Sequence, residues 1–323
     1  MLNTRFTAEF GIEAPIMQGG MQWIGNAELA AAVSNAGGLG TITALTFPTP
    51  DALAVQIARC QELTDKPFAV NLTTLPSISP PPYEEYQAVI IDLGVPVVET
   101  SGSNPVRFVD TYHAAGIKVV HKATSIRHAV KAQAAGVDAI AMIGFEAAGH
   151  PGELDIPLFV LLAAAARTIT IPLLAAGGIG NGAGLAAALA LGADGVLLAT
   201  RFMATAEAPI HQRVKDELVA RDELKTQLIF RQLRNTARVS ANSVSDEVVA
   251  ILSAGGEFGD VRELVAGRRG RTVYETGDLE AGIWWAGLSQ TLIDDVPTCS
   301  ELIARMVDEA EDIITTKLMT SIA

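Results

Sequence analysis

Residues 133–144, QAAGVDAIAMIG, pass from an Ala-rich stretch through a glycine into a continuous apolar run. A glycine after a helix adopts the left-handed conformation that ends it, and an unbroken apolar run is typical of a parallel strand buried on both faces. Comparable joints recur in NAGGLG (35–40), LTDKPF (63–68), HAAGIKV (113–119) and ALGADGV (190–196). The repetition predicts helices that alternate with parallel strands.

Eight apolar runs follow this pattern: PIMQG (15–19), LGTIT (39–43), FAVNLT (68–73), VPVVETS (95–101), KVVHKA (118–123), AIAMIG (139–144), PLLAAG (172–177) and GVLLAT (195–200). Eight βα units at a spacing of roughly 25 residues predict a (β/α)8 barrel, the TIM barrel. A doubly wound open sheet usually has fewer strands and an early GxGxxG fingerprint, which this sequence lacks.

The rhythm changes after residue 206 to charged, helical sequence such as HQRVKDELVARDELKTQLIF (211–230) and SDEVVAILSAGG (245–256). We predict a barrel over residues 1–206 and a mostly helical extension over 207–323 that packs on it, with no further strand. The last helix, from about residue 299, either completes the barrel or lies outside it. Trp284 and Trp285 belong to the core of the extension or to the mouth of a site.

Composition and charge argue against a nucleic-acid-binding protein, a disulfide-rich protein and a membrane protein. The chain of 323 residues carries a formal net charge of −13, which opposes non-specific binding to nucleic acid or anionic lipid. Cys60 and Cys299 make no disulfide framework and no zinc motif, and the sequence shows neither a signal peptide nor a long apolar span. We expect a cytoplasmic protein with no nucleic-acid partner and no membrane insertion. The charged segment 211–227 is a solvated helix face or the contact of a homodimer.

Glycine-rich strand ends predict a phosphate site. In TIM barrels the active site lies at the carboxyl ends of the strands. AAGGIGNG (175–182) and LLATRF (197–202) end strands 7 and 8, where backbone N–H groups and a helix N-terminus together bind phosphate. The alternative is that these glycines only make tight turns.

Polar groups at other strand ends complete a candidate pocket. GGMQW (19–23) leaves room for a flat ligand, and Thr73 and Lys122 are polar residues in otherwise apolar strand ends. Lys122 faces the pocket or extends to the barrel rim. His150 follows small residues directly after strand 6, a position that favours a functional role over the alternative of a hydrogen-bonded structural histidine. Glu146 either orients the imidazole of His150 or is a solvated rim charge.

These segments together resemble the nitronate monooxygenase family, also called 2-nitropropane dioxygenases, which are FMN-dependent (β/α)8 enzymes. The resemblance covers nearly the whole chain and is carried by PIMQGGMQW, AVSNAGGLG, LTDKPFAVNL, GFEAAGHPGE, AAGGIGNG and ATRF. It implies that His150 is the catalytic histidine. It also implies that FMN is bound by Gly20, Met21, Gln22, Thr73, Lys122, Ala148, Ala176, Gly177, Gly178, Ala199 and Thr200.

Within the family, segments such as HKATSIRHA, AAGHPGE and RNTARV resemble the branch described as NADH:quinone reductases. That resemblance implies ping-pong hydride transfer through flavin N5 from NADH or NADPH to a quinone, with Pro76, Lys122 and His150 at the substrate. No residue pattern distinguishes NADH from NADPH. The alternatives are oxidation of alkyl nitronates by oxygen and, as a lesser one, flavin-dependent enoyl-acyl carrier protein reduction. A flavin-free sugar-phosphate barrel is a further alternative.

Overall fold

The computed structural model describes residues 2–74 and 80–322. Its main sheet has eight parallel strands: β1 (Ile16–Gln18), β2 (Gly40–Thr43), β3 (Phe68–Thr74), β4 (Val97–Gly102), β5 (Lys118–Ala123), β6 (Ala139–Ile143), β7 (Leu173–Ala176) and β8 (Gly195–Leu198). Every strand overlaps a predicted apolar run. Neighbouring strands follow the chain order from β2 to β8, β8 pairs with β1, and a bridge between Met17 and Leu39 closes the ring. The prediction of a TIM barrel is confirmed.

Helices cover the outside of the ring and one end of it. They are α1 (Arg5–Phe10), α2 (Ala27–Asn35), α3 (Pro50–Leu63), α4 (Tyr83–Asp92), α5 (Val106–Ala114), α6 (Ile126–Ala134), α7 (Leu158–Ala165), α8 (Gly182–Ala190) and α9 (Thr200–Met203). Gly116, Gly136 and Gly192 follow three of these helices with φ of 75°, 90° and 97°. The glycines that marked the sequence joints therefore do end helices.

None of the helices in the described ranges combines the length and apolar character that a membrane span requires.

The barrel interior changes from apolar to polar along the strands. Its lower part holds Met17, Val97 and Val120, and Phe6 and Phe10 of α1 pack against the same cluster. Successive residues of a strand point to opposite faces, so two residues beyond Val97 and Val120 the inward positions are Glu99 and Lys122. Polar side chains are therefore collected inside the barrel near the carboxyl ends of its strands.

The segment after the barrel contains α10 (Gln212–Ala220), α11 (Ser243–Ser253), α12 (Phe258–Val261) and α13 (Gly267–Thr276). It also contains β9 (Thr226–Ile229) and β10 (Ala237–Ser240), which pair antiparallel. The prediction that no further strand follows the barrel is wrong. Only the last residue of β9 is fully buried, so its sequence lacks the continuous apolar run that identified the barrel strands.

The last long helix, α14 (Cys299–Asp312), packs against α8 and α2. A Cβ on Gly182 would lie 2.4 Å from the carbonyl oxygen of Met306, so only glycine allows this approach. The Glu309 carboxylate accepts a hydrogen bond of 2.7 Å from the Gly182 amide. Helix α14 thus occupies the position beside β8 and β1 that a helix following β8 would take. A domain boundary near residue 206 stays a prediction.

Candidate active site

A cavity of about 670 Å³ opens at the carboxyl ends of the barrel strands. It is lined by nearly all the residues predicted to form the site: Gly20, Met21, Gln22, Thr73, Lys122, Ala148, His150, Ala176, Gly177, Ala199 and Thr200. Gly178 follows Gly177 in the same turn but does not line the cavity, and Pro76 lies outside the described residues. The structure therefore brings the predicted residues together, while their ligand stays a prediction.

The loop after β1 forms one wall and is fixed by buried polar contacts. The Gly20 amide donates to Oε2 of Glu99 at 3.0 Å, and the Met21 amide donates to Oγ1 of Thr43 at 2.8 Å. A Cβ on Gly20 would lie 2.4 Å from Cγ of Asn71, so this position requires glycine. Gln22 is exposed at the mouth of the cavity.

The floor is built around Glu99, whose side chain is fully buried. Oε2 of Glu99 also accepts from Nδ2 of Asn71 at 2.6 Å, and Nζ of Lys122 lies 3.2 Å from Oε1. Lys122 and Oε1 of Glu99 form an ion pair without a well-aligned hydrogen bond, because Oε1 accepts no hydrogen bond from any donor in the described ranges. Lys122 thus faces inward, as one sequence alternative proposed, and its charge is balanced by Glu99.

Above this pair the two neighbouring strands β3 and β4 present hydroxyl groups. Oγ1 of Thr73 and Oγ of Ser101 are 2.7 Å apart, and the Thr73 hydroxyl also donates to Oδ1 of Asn71 at 3.2 Å. His121 on β5 belongs to the opposite face of its strand, where Nδ1 lies 2.9 Å from Oγ1 of Thr100. Burial lowers the pKa of His121 to about 4, and the charge of Lys122 adds to this effect.

The turn after β7 requires glycine, because its backbone is left-handed and packs closely on the residues after β6. Gly177 and Gly178 have φ of 96° and 71°, and a Cβ on Gly177 would lie 3.0 Å from the Ala147 amide nitrogen. The expected contribution of the α8 N-terminus is not available in this arrangement. Its first-turn amides donate to Glu309, as described above, and to Oδ1 of Asn181 at 3.0 Å. An anion at this end of the cavity would therefore depend on the turn itself and on the start of α9.

The first residues of α9 divide between the cavity and the core. Ala199 and Thr200 line the cavity, and Oγ1 of Thr200 accepts from the Gly287 amide at 3.1 Å. Arg201 is buried and donates from Nη2 to Asp295 at 2.7 Å, away from the cavity wall. The arginine of the ATRF motif consequently holds the segment before α14 in place.

His150 lies on the loop between β6 and α7, in the wall of the cavity. Its ring is open to solvent within the cavity but is surrounded by protein on most sides, and this partial desolvation lowers its pKa. The carboxylate of Glu153 opposes the shift. The Trp285 ring lies 6.1 Å from the imidazole at an angle of 42°, whereas Trp284 is fully buried in the core. Of the two positions predicted for these tryptophans, Trp284 takes the one in the core and Trp285 the one at the site.

Glu146 takes neither of its two predicted roles. Both of its carboxylate oxygens accept from the Leu158 amide at 3.0 Å, at the start of α7. A carboxylate at that position is stabilised by the positive end of the helix. Glu146 therefore fixes the far end of the His150 loop.

The sequence analysis gave Asn71, Glu99 and Ser101 no place in the site, although Asn71 and Ser101 line the cavity and Glu99 lies beneath it. It did not find Asn235 and Thr236, which come from the turn before β10 and line the cavity. A buried acid in an apolar strand, two positions after Val97, was the available signal for Glu99. Residues 235 and 236 lie in the RNTARV segment that carried the resemblance to the quinone reductase branch, but nothing in that segment indicated that they line the cavity.

The family model for nitronate monooxygenases matches residues 3–309 of the chain. The chain belongs to the nitronate monooxygenase family. The resemblance drawn from the sequence motifs is thereby confirmed, and membership supports an oxidoreductase.

Three proteins are similar to this chain over nearly their whole length. The "(3aS,4S,5R,7aS)-5-hydroxy-7a-methyl-1-oxo-octahydro-1H-indene-4-carboxyl-CoA dehydrogenase" of Rhodococcus jostii is 30% identical over 96% of each chain. A nitronate monooxygenase of Paraburkholderia phytofirmans is 30% identical over 94% of each chain. The structure of FabK from Thermotoga maritima is 34% identical, covers 100% of both chains and superposes with a TM-score of 0.93.

Proposed function

We propose that this member of the nitronate monooxygenase family is an FMN-dependent NAD(P)H:quinone reductase. The observation that carries the proposal is the charge-balanced cavity described above. Lys122 is paired with Glu99, His150 has a lowered pKa, and the Trp285 ring lies beside His150. These features suit flat and uncharged reactants such as a nicotinamide ring and a quinone.

The residues of the cavity fit FMN. The volume lies in the range of ordinary cofactor sites, and Gly20 and Gly177 line the wall with backbone that a flat ligand can approach. Asn71, Thr73 and Lys122 offer donors for the polar edge of a flavin ring, and the segments around Gly177 and Thr200 would hold its phosphate. When bound, FMN accepts two electrons from NAD(P)H and gives them to an acceptor.

The protein supplies position and electrostatics for this exchange. His150 presents an imidazole that is neutral at pH 7, because its pKa lies below the usual value, and it can donate to or accept from a substrate carbonyl or amide. The Trp285 ring lies beside the His150 ring and restricts its movement on that side. Lys122 is held at the floor by its ion pair with Glu99, where its ammonium group can still donate a hydrogen bond to an uncharged polar edge.

Oxidation of alkyl nitronates is the second candidate, supported by the 30% identity to the Paraburkholderia nitronate monooxygenase. A nitronate is an anion, and binding it favours an uncompensated cation in the site. Lys122 is already paired and His150 is neutral, so this cavity is better suited to uncharged acceptors. Thioester reduction is the third candidate, supported only by similarity to FabK and to the carboxyl-CoA dehydrogenase.

The test is anaerobic mixing of the FMN-loaded protein with NADH or NADPH, followed by absorbance of the oxidised flavin. Fast bleaching that benzoquinone reverses supports the reductase. Bleaching by propyl nitronate, with none by either nicotinamide, contradicts it and favours nitronate oxidation. Recovery of absorbance with a crotonyl thioester but not with benzoquinone also contradicts it and favours thioester reduction. A His150→Ala variant that retains FMN is expected to be slower in the first step.

A further inference from the structure

The His150 loop is held by the hairpin β9–β10 rather than by the barrel alone. Gly149 and Arg238 form an antiparallel bridge, in which the Gly149 amide donates at 3.0 Å and the Arg238 amide donates at 2.7 Å. Gly149 has φ of 77° and directly precedes His150. The backbone that carries the imidazole is thus an added edge of this small sheet.

The side chain of Arg238 reaches the opposite end of the same loop. Nε and Nη2 donate to the Phe145 carbonyl at 3.3 and 3.1 Å, and Nη1 donates to Oγ1 of Thr226 at 2.9 Å. The guanidinium lies 4.7 Å from the centre of the Phe145 ring. One residue therefore fixes the loop at Phe145 through its side chain and at Gly149 through its backbone.

Two further contacts hold the loop beyond His150. The Glu153 carboxylate accepts from the amide and hydroxyl of Thr236 at 2.6 and 2.7 Å, and Arg231 donates from Nη2 to the Asp155 carboxylate at 2.9 Å. Asp155 has a positive φ of 50°, a strained conformation that persists only where the surroundings impose it. The loop is consequently restrained on both sides of the histidine.

Arg238 is also an unusual choice for a purely structural contact. It is buried, and within residues 2–74 and 80–322 no carboxylate lies at ion-pair distance from its guanidinium. A buried charge without an ionic partner costs stability compared with an apolar residue of similar volume. The planar fork of arginine, however, reaches a carbonyl and a hydroxyl at once with fixed geometry, which lysine does not.

We propose that Arg238 is a positioning residue that sets the orientation of His150 toward the cavity. The proposal rests on the proposed function in assigning His150 to the reaction. It adds that the hairpin of the extension, which does not belong to the barrel, determines where the imidazole lies. Arg238 itself does not line the cavity and acts through His150.

The kinetic test is a double-mutant cycle with Arg238→Lys and His150→Ala in the FMN-loaded protein. We expect Arg238→Lys to lower kcat/KM with NADH and benzoquinone about tenfold, because small displacements of a reacting group have large effects. Added to His150→Ala, it is expected to have no further effect. A further tenfold loss in the double variant overturns the proposal, since it would show an action independent of His150.

The second readout does not depend on activity. The His150 ring C–H resonance, identified by its loss in His150→Ala, is titrated by NMR. Arg238→Lys is expected to move the pKa of His150 toward its usual value as the ring leaves its partly desolvated position. An unchanged titration overturns the proposal. If His150→Ala has wild-type kinetics, the proposed role of His150 fails, and the titration alone then decides whether Arg238 positions it.

Arg221 provides a matched control on the other side of the hairpin. It is largely buried, donates from Nη1 to Oγ of Ser240 at 2.8 Å and to the Ala241 carbonyl at 2.7 Å, and does not contact the His150 loop. Arg221→Lys is expected to reduce stability without changing the titration of His150. If Arg238→Lys does not fold, Arg231→Gln, at the exposed ion pair with Asp155, is expected to shift the titration in the same direction by a smaller amount, and an unchanged titration overturns the proposal.

Discussion

Replacing Lys122 with Met would leave the Glu99 carboxylate buried without a counter-charge. At 3.2 Å and an effective dielectric constant of 20, the two charges attract each other by about 5 kcal/mol. Lys122 is 18% exposed, and Gly20 and Asn71 still donate to Glu99, so part of this energy is retained. We expect the free energy of unfolding to fall by about 3 kcal/mol, the lower end for breaking a buried pair.

The assay is urea unfolding followed by circular dichroism, at two concentrations of excess FMN to separate loss of cofactor binding from loss of fold stability. The double variant Glu99→Gln with Lys122→Met is expected to recover at least half of the loss. The amide can still accept from Gly20 and Asn71 but needs no counter-charge. Lys66→Met, at an exposed pair with Glu13, is a control that we expect to leave stability unchanged. A Lys122→Met variant as stable as wild type, or a double variant no more stable than the single one, would show that Lys122 does not stabilise the buried Glu99 carboxylate.

Two other predictions concern the walls of the cavity. Because the pKa of His150 lies below 6.5, we expect kcat/KM to stay constant as the pH falls from 8 to about 6.5 and to decline only below that. The His150→Gln variant should not show this decline. An inflection above pH 6.5 would contradict the lowered pKa of His150. The same sign makes His150 lower the folding stability below pH 6.5, where the unfolded imidazole binds a proton first. Gly20→Ala forces the β1 loop away from Asn71, and we expect it to destabilise the protein by about 1–3 kcal/mol and to weaken FMN binding measured by fluorescence. Gly267→Ala, where a Cβ would meet open space, is the control, and equal effects of the two changes would disprove the steric argument.

The barrel could be predicted from the sequence because its signals are local. A glycine such as Gly136 must take a positive φ after its helix, and the strand after it is buried on both faces, so both features leave a mark in consecutive residues. The strand β9 leaves no such mark, because three of its four residues are only partly buried. Its partner β10 is fully buried but has only four residues and includes Arg238.

The site could be predicted only as a set of positions. The strand ends indicated Lys122 and His150, since a TIM barrel places all strand ends on one face. That Lys122 pairs with Glu99 depends on the register of β3, β4 and β5, which places Asn71 opposite Glu99 and is fixed only when the ring closes. The restraint of His150 depends on a hairpin about 90 residues further along the chain, and local pattern carries no information about such contacts.

The position of α14 bears on the order in which the chain can fold during synthesis. The eighth strand ends at Leu198, but the helix that packs between α8 and α2 begins only at Cys299. The ribosome must therefore add about 100 more residues after the last barrel strand before the outer layer can be completed, which takes roughly 5–20 s. During that interval the apolar groove between α8 and α2 is open to solvent, and we expect the nascent chain to depend on chaperone binding most at this seam.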